Sequence, residues 1–250
     1  MSEFSTTLKG DLPLLPPATE KLWNYLREQS ALAGFILAGG SALSLLIRHR
    51  LSEDLDFIFL QPRLPRQRLA VLCKQAATAG FCFSPNDDEA AIQEFAETGL
   101  ELHDYQQDFL VNDTVKVSFF APDDAQRSVF ASHKDAHPRV ATLTELFKSK
   151  ALLSSVRSKT RDWLDLFVLL RDHGFSIRDY RNVFEATGNL TQCDTGLARL
   201  CSGSPQRGDE GYSHLLANAP ALAEMKAFFI AEREKLEVEL AFEAKLKKIK

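Results

Sequence analysis

The chain has 250 residues, of which 45% are hydrophobic and 26% are charged, and its formal net charge is −4. These values are ordinary for a globular protein and allow one large domain or two small ones. The slightly acidic balance excludes a global attraction to nucleic acid, so any RNA contact must use local basic patches. No apolar run approaches the roughly 18 residues that a membrane span needs.

The cysteine spacing and the first residues predict the compartment. The four cysteines show neither a CxxC spacing nor histidines at zinc-site intervals, so reduced thiols are expected and disulfides are not; they are Cys73, Cys82, Cys193 and Cys201. The opening segment MSEFSTTLKGDLPLLPPATE is polar and contains three prolines, which does not fit a signal peptide. We therefore expect a cytoplasmic protein that makes no membrane contact.

The first half of the chain predicts alternating helices and strands. Residues 18–34 have leucines at helical spacing, and FILAGG is a short apolar run that predicts a buried strand. SALSLLIRHR predicts a helix beginning at Ser41, and LDFIFL predicts a second strand. RQRLAVLCKQAATAGF predicts a covering helix that stops at Gly80.

The second half changes character. ELHDYQQDFLV and TVKVSFFA, separated by Asn112 and Asp113, predict a β-hairpin. From about residue 140 the pattern is helical, with a break near Ser158 and Lys159, a cap at Thr160 and a stop at Gly174. The expected fold class is α+β. We predict an α/β domain at residues 1–138, with a small mixed sheet flanked by helices, and a helical domain at residues 139–250.

The Gly-Gly-Ser turn before the helix is a candidate phosphate site. Glycines let the backbone turn sharply and let a ligand approach it closely. Ser41 would lie at a helix N-terminus, where unpaired N–H groups and the helix dipole favour a phosphate. The alternative is a simple helix cap, which such a turn forms more often.

Asp54 and Asp56 form a candidate metal site. On a strand they lie on one face, with Leu55 and Phe57 on the other. Two ionised carboxylates at that spacing repel each other unless a cation lies between them. Mg²⁺ takes one or two carboxylates and completes its shell with water and substrate phosphates. The alternative is an unrelated pair of surface carboxylates.

The turn and the carboxylate pair together are more specific than either one alone. A phosphate-binding turn, one short helix and a metal site on the next strand are the arrangement of nucleotidyltransferases of the DNA polymerase β type. The segment GGSALSLLIRHRLSEDLDF resembles the first motif of the AbiEii/AbiGii nucleotidyltransferase toxin family, Gly-Gly-Ser/Thr-Ala-Leu, an apolar helix, then Arg-x-Ser-x-Asp-Leu-Asp-Phe. The resemblance implies nucleotide-binding roles for Gly39, Gly40, Ser41, Arg50 and Ser52, and metal-binding, catalytic roles for Asp54 and Asp56.

A second resemblance lies downstream, in ELFKSKALLSSVRSKTRDWLDLFVLL. The family has a helical lysine followed by Ala-Leu, an arginine, and then Arg-Asp-x-x-Asp-Leu; the matching positions are Lys150, Arg157, Arg161, Asp162 and Asp165. On one helix the three cations project to nearly the same side, so a polyanion or nearby acids must neutralise them. The resemblance implies a catalytic triphosphate contact for Lys150 and nucleotide-binding roles for Arg157 and Asp165. The alternative for the Arg161, Asp162 and Asp165 positions is a structural salt-bridge network.

One family feature is missing. Polymerase-β-type sites usually carry a third carboxylate on a neighbouring strand, which helps to deprotonate the attacking hydroxyl. The corresponding strand TVKVSFF offers Ser118, and Asp113 and Asp123 stand only at its ends. The identity of the base is therefore open.

The sequence is interpreted as a nucleotidyltransferase of EC 2.7.7 type that transfers a nucleoside monophosphate from an NTP to an acceptor hydroxyl. The expected cofactor is Mg²⁺, with Mn²⁺ as an alternative ion. The resemblance implies toxin action, a cognate antitoxin, and RNA (the 3′ end of tRNA) as first acceptor and protein as second. Two alternatives remain: a catalytically inactive nucleotide- or partner-binding protein on this fold, and a housekeeping nucleotidyltransferase without toxicity.

Overall fold

The computed structural model describes residues 14–249, with side chains to residue 246. Residues 1–13 lie outside this part, so most of the opening segment, which does not fit a signal peptide, is not described. The chain forms two compact units, the first reaching to Leu146 and the second beginning at Phe147. The sequence places the division after residue 138, but Arg139 and Val140 pair with strand residues Ile36 and Leu37, so they belong to the first unit's sheet.

The first unit contains a six-stranded mixed sheet and its helices. The strands are β1 (Phe35–Ala38), β2 (Leu55–Phe59), β3 (Phe83–Pro85), β4 (Gln106–Val111), β5 (Val115–Phe120) and β6 (Arg139–Val140). The helices are α1 (Pro17–Leu26), α2 (Gly39–Ile47), α3 (Arg66–Thr78), α4 (Glu89–Glu97) and α5 (Asp124–Ser128), and α6 (Leu143–Val156) begins here. Short 3₁₀ turns occupy Ser30–Leu32 and Leu102–Asp104.

The strand order is β3-β4-β5-β2-β1-β6. β2 pairs antiparallel with β1 and parallel with β5, so the two strands predicted from the glycine motif are neighbours. β4 and β5 form the predicted hairpin, and Asn112 and Asp113 have φ angles of 49° and 55° in its turn. Asn and Asp tolerate this left-handed conformation, and the connection between the paired residues Val111 and Val115 has three residues, 112–114. The predicted mixed sheet is confirmed.

One face of the central strands is the core of the unit. Phe57 on β2 stacks on Phe119 of β5 at 5.3 Å between ring centroids, and Phe35 of β1 meets Phe119 edge-on at 5.7 Å. These three rings are fully buried. Because side chains alternate along a strand, the opposite face carries Asp56 and Ser118, which are only half-buried.

Two strands and two helices of the first unit were not predicted, and one helix is shorter than predicted. β3 and β6 have three and two residues, too few for a period to appear in the sequence, and neither α4 nor α5 has a buried residue. The helix predicted over residues 18–34 is α1, which ends at Leu26 and is followed by the Ser30–Leu32 turn. The predicted stop at Gly80 is confirmed, because α3 ends at Thr78, Ala79 is its C-cap and Gly80 follows with a φ of +87°.

The second unit is helical in its described residues, as predicted. It contains most of α6, then α7 (Thr160–Asp172), α8 (Ile177–Ala186), α9 (Leu190–Ser202) and α10 (Leu222–Ile249), with a 3₁₀ turn at Ser213–Leu215. The predicted break near Ser158 is present. Thr160 does not cap α7 through its own side chain; its hydroxyl donates to Asp209 Oδ2 at 2.5 Å.

The four cysteines are free thiols, as predicted. Burial raises the pKa of Cys73 and of Cys193 to about 11, so neither thiol is an ionised nucleophile at neutral pH. In the part of the chain that the structure describes, no helix combines the length and the apolar character that crossing a bilayer requires.

Candidate active site

The first glycine of the β1–α2 turn lies directly against a carboxylate. Gly39 has a φ of +67°, a conformation that L-residues with a side chain rarely adopt. A Cβ built on Gly39 would overlap Asp56 Oδ2 and would lie 3.1 Å from Asp56 Cγ. Ala38 and Asp56 are register partners on β1 and β2, which explains the proximity. The missing side chain of Gly39 therefore creates the space that the Asp56 carboxylate occupies.

The second glycine accommodates two other side chains of the motif. A Cβ on Gly40 would lie 2.8 Å from Ser52 Oγ and 3.2 Å from Arg50 Cζ. Arg50 and Ser52 are 4% and 6% exposed, and Arg50 Nη1 donates to the Leu51 carbonyl at 3.0 Å. Both residues hold the loop before β2 against the turn. Their predicted contact with a nucleotide stays a prediction.

Ser41 anchors the carboxylate loop. Its hydroxyl donates to the backbone carbonyl of Asp54, and the residue is 1% exposed. The helix begins at Gly39, two residues earlier than predicted, and no side chain caps it. The first-turn N–H groups of a helix have no partner within the helix, so the anion-binding character expected of this turn belongs to the backbone. A phosphate contact by Ser41 itself stays a prediction.

Asp54 and Asp56 lie where hard-cation chemistry fits. Both are half-buried, and Leu55 and Phe57 between and after them are fully buried, which confirms the alternation predicted for β2. Burial of two neighbouring carboxylates disfavours their joint ionisation unless a cation is present. The described residues contain no cluster of three or more His, Cys, Asp or Glu side chains that could hold a metal. Two carboxylates with water and phosphate oxygens as further ligands suit Mg²⁺.

The strand beside the pair carries no acid at the expected position. Ser118 on β5 is in register with Asp56, and the core residues Val117 and Phe119 flank it. Asp113 lies in the hairpin turn, and Asp123 caps α5 by accepting from the Gln126 N–H at 2.8 Å. Neither of these two acids is on β5.

A further acid lies one strand beyond Ser118, and the sequence reasoning missed it. Asp108 on β4 is the register partner of Ser118. A two-residue turn at Asn112 and Asp113 alone would place Asp108 opposite Val117. The observed connection also includes Thr114, so Val111 pairs with Val115 and Asp108 lies opposite Ser118. Asp56, Ser118 and Asp108 thus form one row across three neighbouring strands; this row is called the acid row below.

Lys150 belongs to an ion-pair network inside the second unit. Its ammonium lies 2.6 Å from Asp162 Oδ1 and 2.7 Å from Asp165 Oδ2, and Arg157 Nε donates to Asp162 Oδ2 at 2.7 Å. Lys150, Asp162 and Asp165 are at most 5% exposed. Burial raises the pKa of the Asp162 carboxyl, but Lys150 and Arg157 outweigh it and hold the pKa below the usual value. Two cations and two carboxylates balance each other here.

The cationic face predicted for this motif is corrected by the structure. α6 ends at Val156 and α7 begins at Thr160, so Lys150, Arg157 and Arg161 do not share one helix. Arg161 turns to another loop, where Nε donates to the Gly211 carbonyl at 3.0 Å and Nη2 pairs with Glu210 at 3.2 Å. Asp162 and Asp165 therefore form a salt-bridge network in the structure, as the alternative interpretation of this motif expects. The triphosphate role of Lys150 stays a prediction.

The chain is similar to proteins of a known family and to solved structures. A family model described as "Nucleotidyl transferase AbiEii toxin, Type IV TA system" matches residues 22–248. The solved structure of JHP933 from Helicobacter pylori is 19% identical, with a TM-score of 0.49 over 91% of this chain and 96% of that chain. MenT4, a nucleotidyltransferase toxin from Mycobacterium tuberculosis H37Rv, is 14% identical, with a TM-score of 0.52 over 85% of this chain and 80% of its own. The likeness to MenT4 shows a common fold. No curated protein matches the chain.

Proposed function

The chain belongs to the AbiEii nucleotidyltransferase toxin family of type IV toxin–antitoxin systems, and we propose that it transfers a nucleoside monophosphate from an NTP to an acceptor hydroxyl with the help of Mg²⁺. The observation that carries the proposal is the Asp54–Asp56 pair seated against the Gly39 turn at the start of α2. The turn provides N–H groups for phosphates beside two carboxylates for a cation.

Each side chain has a defined part in this proposal. Asp54 and Asp56 would hold one or two Mg²⁺ ions, which when bound neutralise charge on the α-phosphate and on the departing pyrophosphate. The Gly39–Gly40 backbone binds the β- and γ-phosphates, and Ser41 keeps the Asp54 loop in place. Arg50 and Ser52 pack under the same turn. A triphosphate role for Lys150, whose ammonium is held by Asp162 and Asp165, is proposed on the family motif alone.

The acceptor and the partner follow from family membership. We propose the 3′ end of tRNA as first acceptor and a protein hydroxyl as second. The net charge of −4 offers no general attraction to RNA, so an RNA acceptor must be held by local basic groups. A type IV system implies a cognate antitoxin, whose identity lies outside this chain.

A labelling assay tests the function. The full chain is incubated with each α-labelled NTP, Mg²⁺ and either total RNA or total protein, and label is followed on gels. Label in tRNA is expected from the wild type, none from Asp56→Asn, and near wild-type labelling from Asp113→Asn, which makes the same change in the hairpin turn. Label in protein would favour the second acceptor.

The same assay decides between the proposal and its alternatives. NTP binding without transfer to either acceptor, with Mg²⁺ or Mn²⁺, would identify a catalytically inactive binding protein. Expression of the chain alone in cells addresses the other alternative, because a toxin arrests growth and Asp56→Asn relieves the arrest. Transfer in vitro without arrest would indicate a housekeeping nucleotidyltransferase.

A further inference from the structure

The acid row offers a solution to the missing third carboxylate. Asp56 pairs with Ser118 across β2 and β5, and Ser118 pairs with Asp108 across β5 and β4. Residues in register on neighbouring strands point to the same face of a sheet. Neighbouring strands lie about 4.8 Å apart, so the Cα atoms of Asp56 and Asp108 are roughly 10 Å apart. The small Ser118 side chain lies between them.

We infer that Asp108 is the general base that deprotonates the acceptor hydroxyl. The hydroxyl is placed above Ser118, between Asp56 and Asp108. The inference rests on the proposed transfer and names a catalytic residue for it. The hydroxyl gives its proton to the Asp108 carboxylate, and its oxygen forms a bond to the α-phosphorus of the NTP. The bond from that phosphorus to the bridging oxygen of the β-phosphate breaks, and pyrophosphate leaves with those electrons.

The spacing of the acid row suits Asp56 as metal ligand and Asp108 as general base. A base must come within about 2.6–3.2 Å of the hydroxyl oxygen, and the reacting oxygen must come within about 3–3.5 Å of phosphorus. The two distances together come to about 6 Å, which is less than the roughly 10 Å between the Cα atoms of Asp56 and Asp108, so the hydroxyl and the α-phosphorus fit between these residues. Ser118 and Asp108 are both half-buried, so the face between them is open to an acceptor.

The neighbouring segment holds Asp108 in a fixed position. The Asp108 N–H donates to Asp87 Oδ1 at 2.9 Å, and its carbonyl accepts from the Asn86 N–H at 2.9 Å. Gln106 Nε2 donates to Asp108 Oδ2 at 2.5 Å and orients the carboxylate. Asp87 itself is anchored by His103 Nε2 at 3.0 Å. Such preorganisation is what a base needs, because misplacement by about 1 Å can cost about 10²-fold in rate.

The first test compares Asp108→Asn with Asp113→Asn in the full-length protein. Both replace Asp by Asn in the same hairpin, but only the first removes a carboxylate from the acid row. We expect kcat of Asp108→Asn to fall by about 10²–10⁴-fold, the usual worth of a general base. Affinity for a non-hydrolysable NTP with Mn²⁺ should stay within about threefold, because ground-state binding does not use the base. Asp113→Asn should keep wild-type kcat.

A second variant tests the position of the hydroxyl. Ser118→Asp, added to Asp108→Asn, places a carboxylate directly beneath the inferred acceptor hydroxyl. The double variant should have a kcat at least about tenfold higher than that of Asp108→Asn. A double variant that binds Mn²⁺–NTP but is no faster than Asp108→Asn overturns the placement above Ser118.

The outcomes separate this inference from the proposed function. Wild-type kcat in Asp108→Asn, while Asp56→Asn is inactive, overturns the inference and leaves the function intact. A loss of Mn²⁺–NTP affinity as large as the loss of kcat also overturns it, since Asp108 would then bind metal. A clear fall in the midpoint of thermal unfolding overturns it as well, since Asp108 would then support the fold. A wild-type protein inactive on every acceptor overturns both.

Discussion

Gly39→Ala tests whether the turn and the Asp56 carboxylate share one space. A methyl group there would overlap Asp56 Oδ2 and lie 3.1 Å from Cγ and 3.2 Å from Cβ, so the carboxylate must move. Holding Ala at a φ of +67° costs about 1–2 kcal/mol. Overpacking adds about 1–3 kcal/mol. The free energy of unfolding should therefore fall by about 2–5 kcal/mol, and the transfer rate by about 10²-fold or more because Asp56 is displaced.

Gly80→Ala is the matched control. Gly80 has a φ of +87°, but a Cβ there meets no atom within 4 Å, so the variant carries backbone strain without the clash. Urea denaturation should show a loss of about 1–2 kcal/mol for Gly80→Ala, with transfer unchanged. The assay is the labelling reaction, with Mn²⁺ affinity measured beside it. A Gly39→Ala protein that transfers as fast as Gly80→Ala would refute the close packing of turn and carboxylate.

Three further variants address charge. Asp54→Ala should abolish transfer, because one carboxylate alone no longer holds the cation; residual activity in the labelling assay would count against the metal site. Lys150→Ala should lower the free energy of unfolding by about 3–5 kcal/mol in urea, since it removes the ammonium shared by two buried carboxylates, whereas Lys148→Ala should change it little. Glu145 accepts from both Arg139 and the Ala131 N–H, and although burial opposes it these contacts lower its pKa from 4.5 to about 2. The associated stability of about 3 kcal/mol is complete above pH 4.5 and disappears as the pH falls toward 2, so Glu145→Gln should flatten the acid limb of a urea series; parallel wild-type and variant curves would exclude this linkage.

Local patterns in the sequence predicted the parts of the fold that depend on local physics. β1, β2 and the β4–β5 hairpin follow from apolar runs, alternation and a turn pair, and the structure has all of them. The alternation of Asp54 and Asp56 against buried neighbours is likewise a property of strand geometry. The Gly-Gly-Ser turn lies where the sequence predicts it, and the structure adds a reason for both glycines. The side chains of Arg50, Ser52 and Asp56, later in the same motif, occupy the positions that their Cβ atoms would take.

The remaining features depend on partners distant in the chain. The pairing of β6 with β1 joins residues about a hundred positions apart, and a two-residue strand is too short to show a recognisable sequence pattern. The balance of Lys150 and Arg157 by Asp162 and Asp165 depends on the break before α7, which a single-helix projection cannot represent. Asp108 reads as an ordinary polar residue of a hairpin until the sheet places β5 between it and Asp56. Composition and local period determine which segments form strands and helices, whereas the order of strands decides which carboxylates meet, because that order is set by packing between segments far apart in sequence.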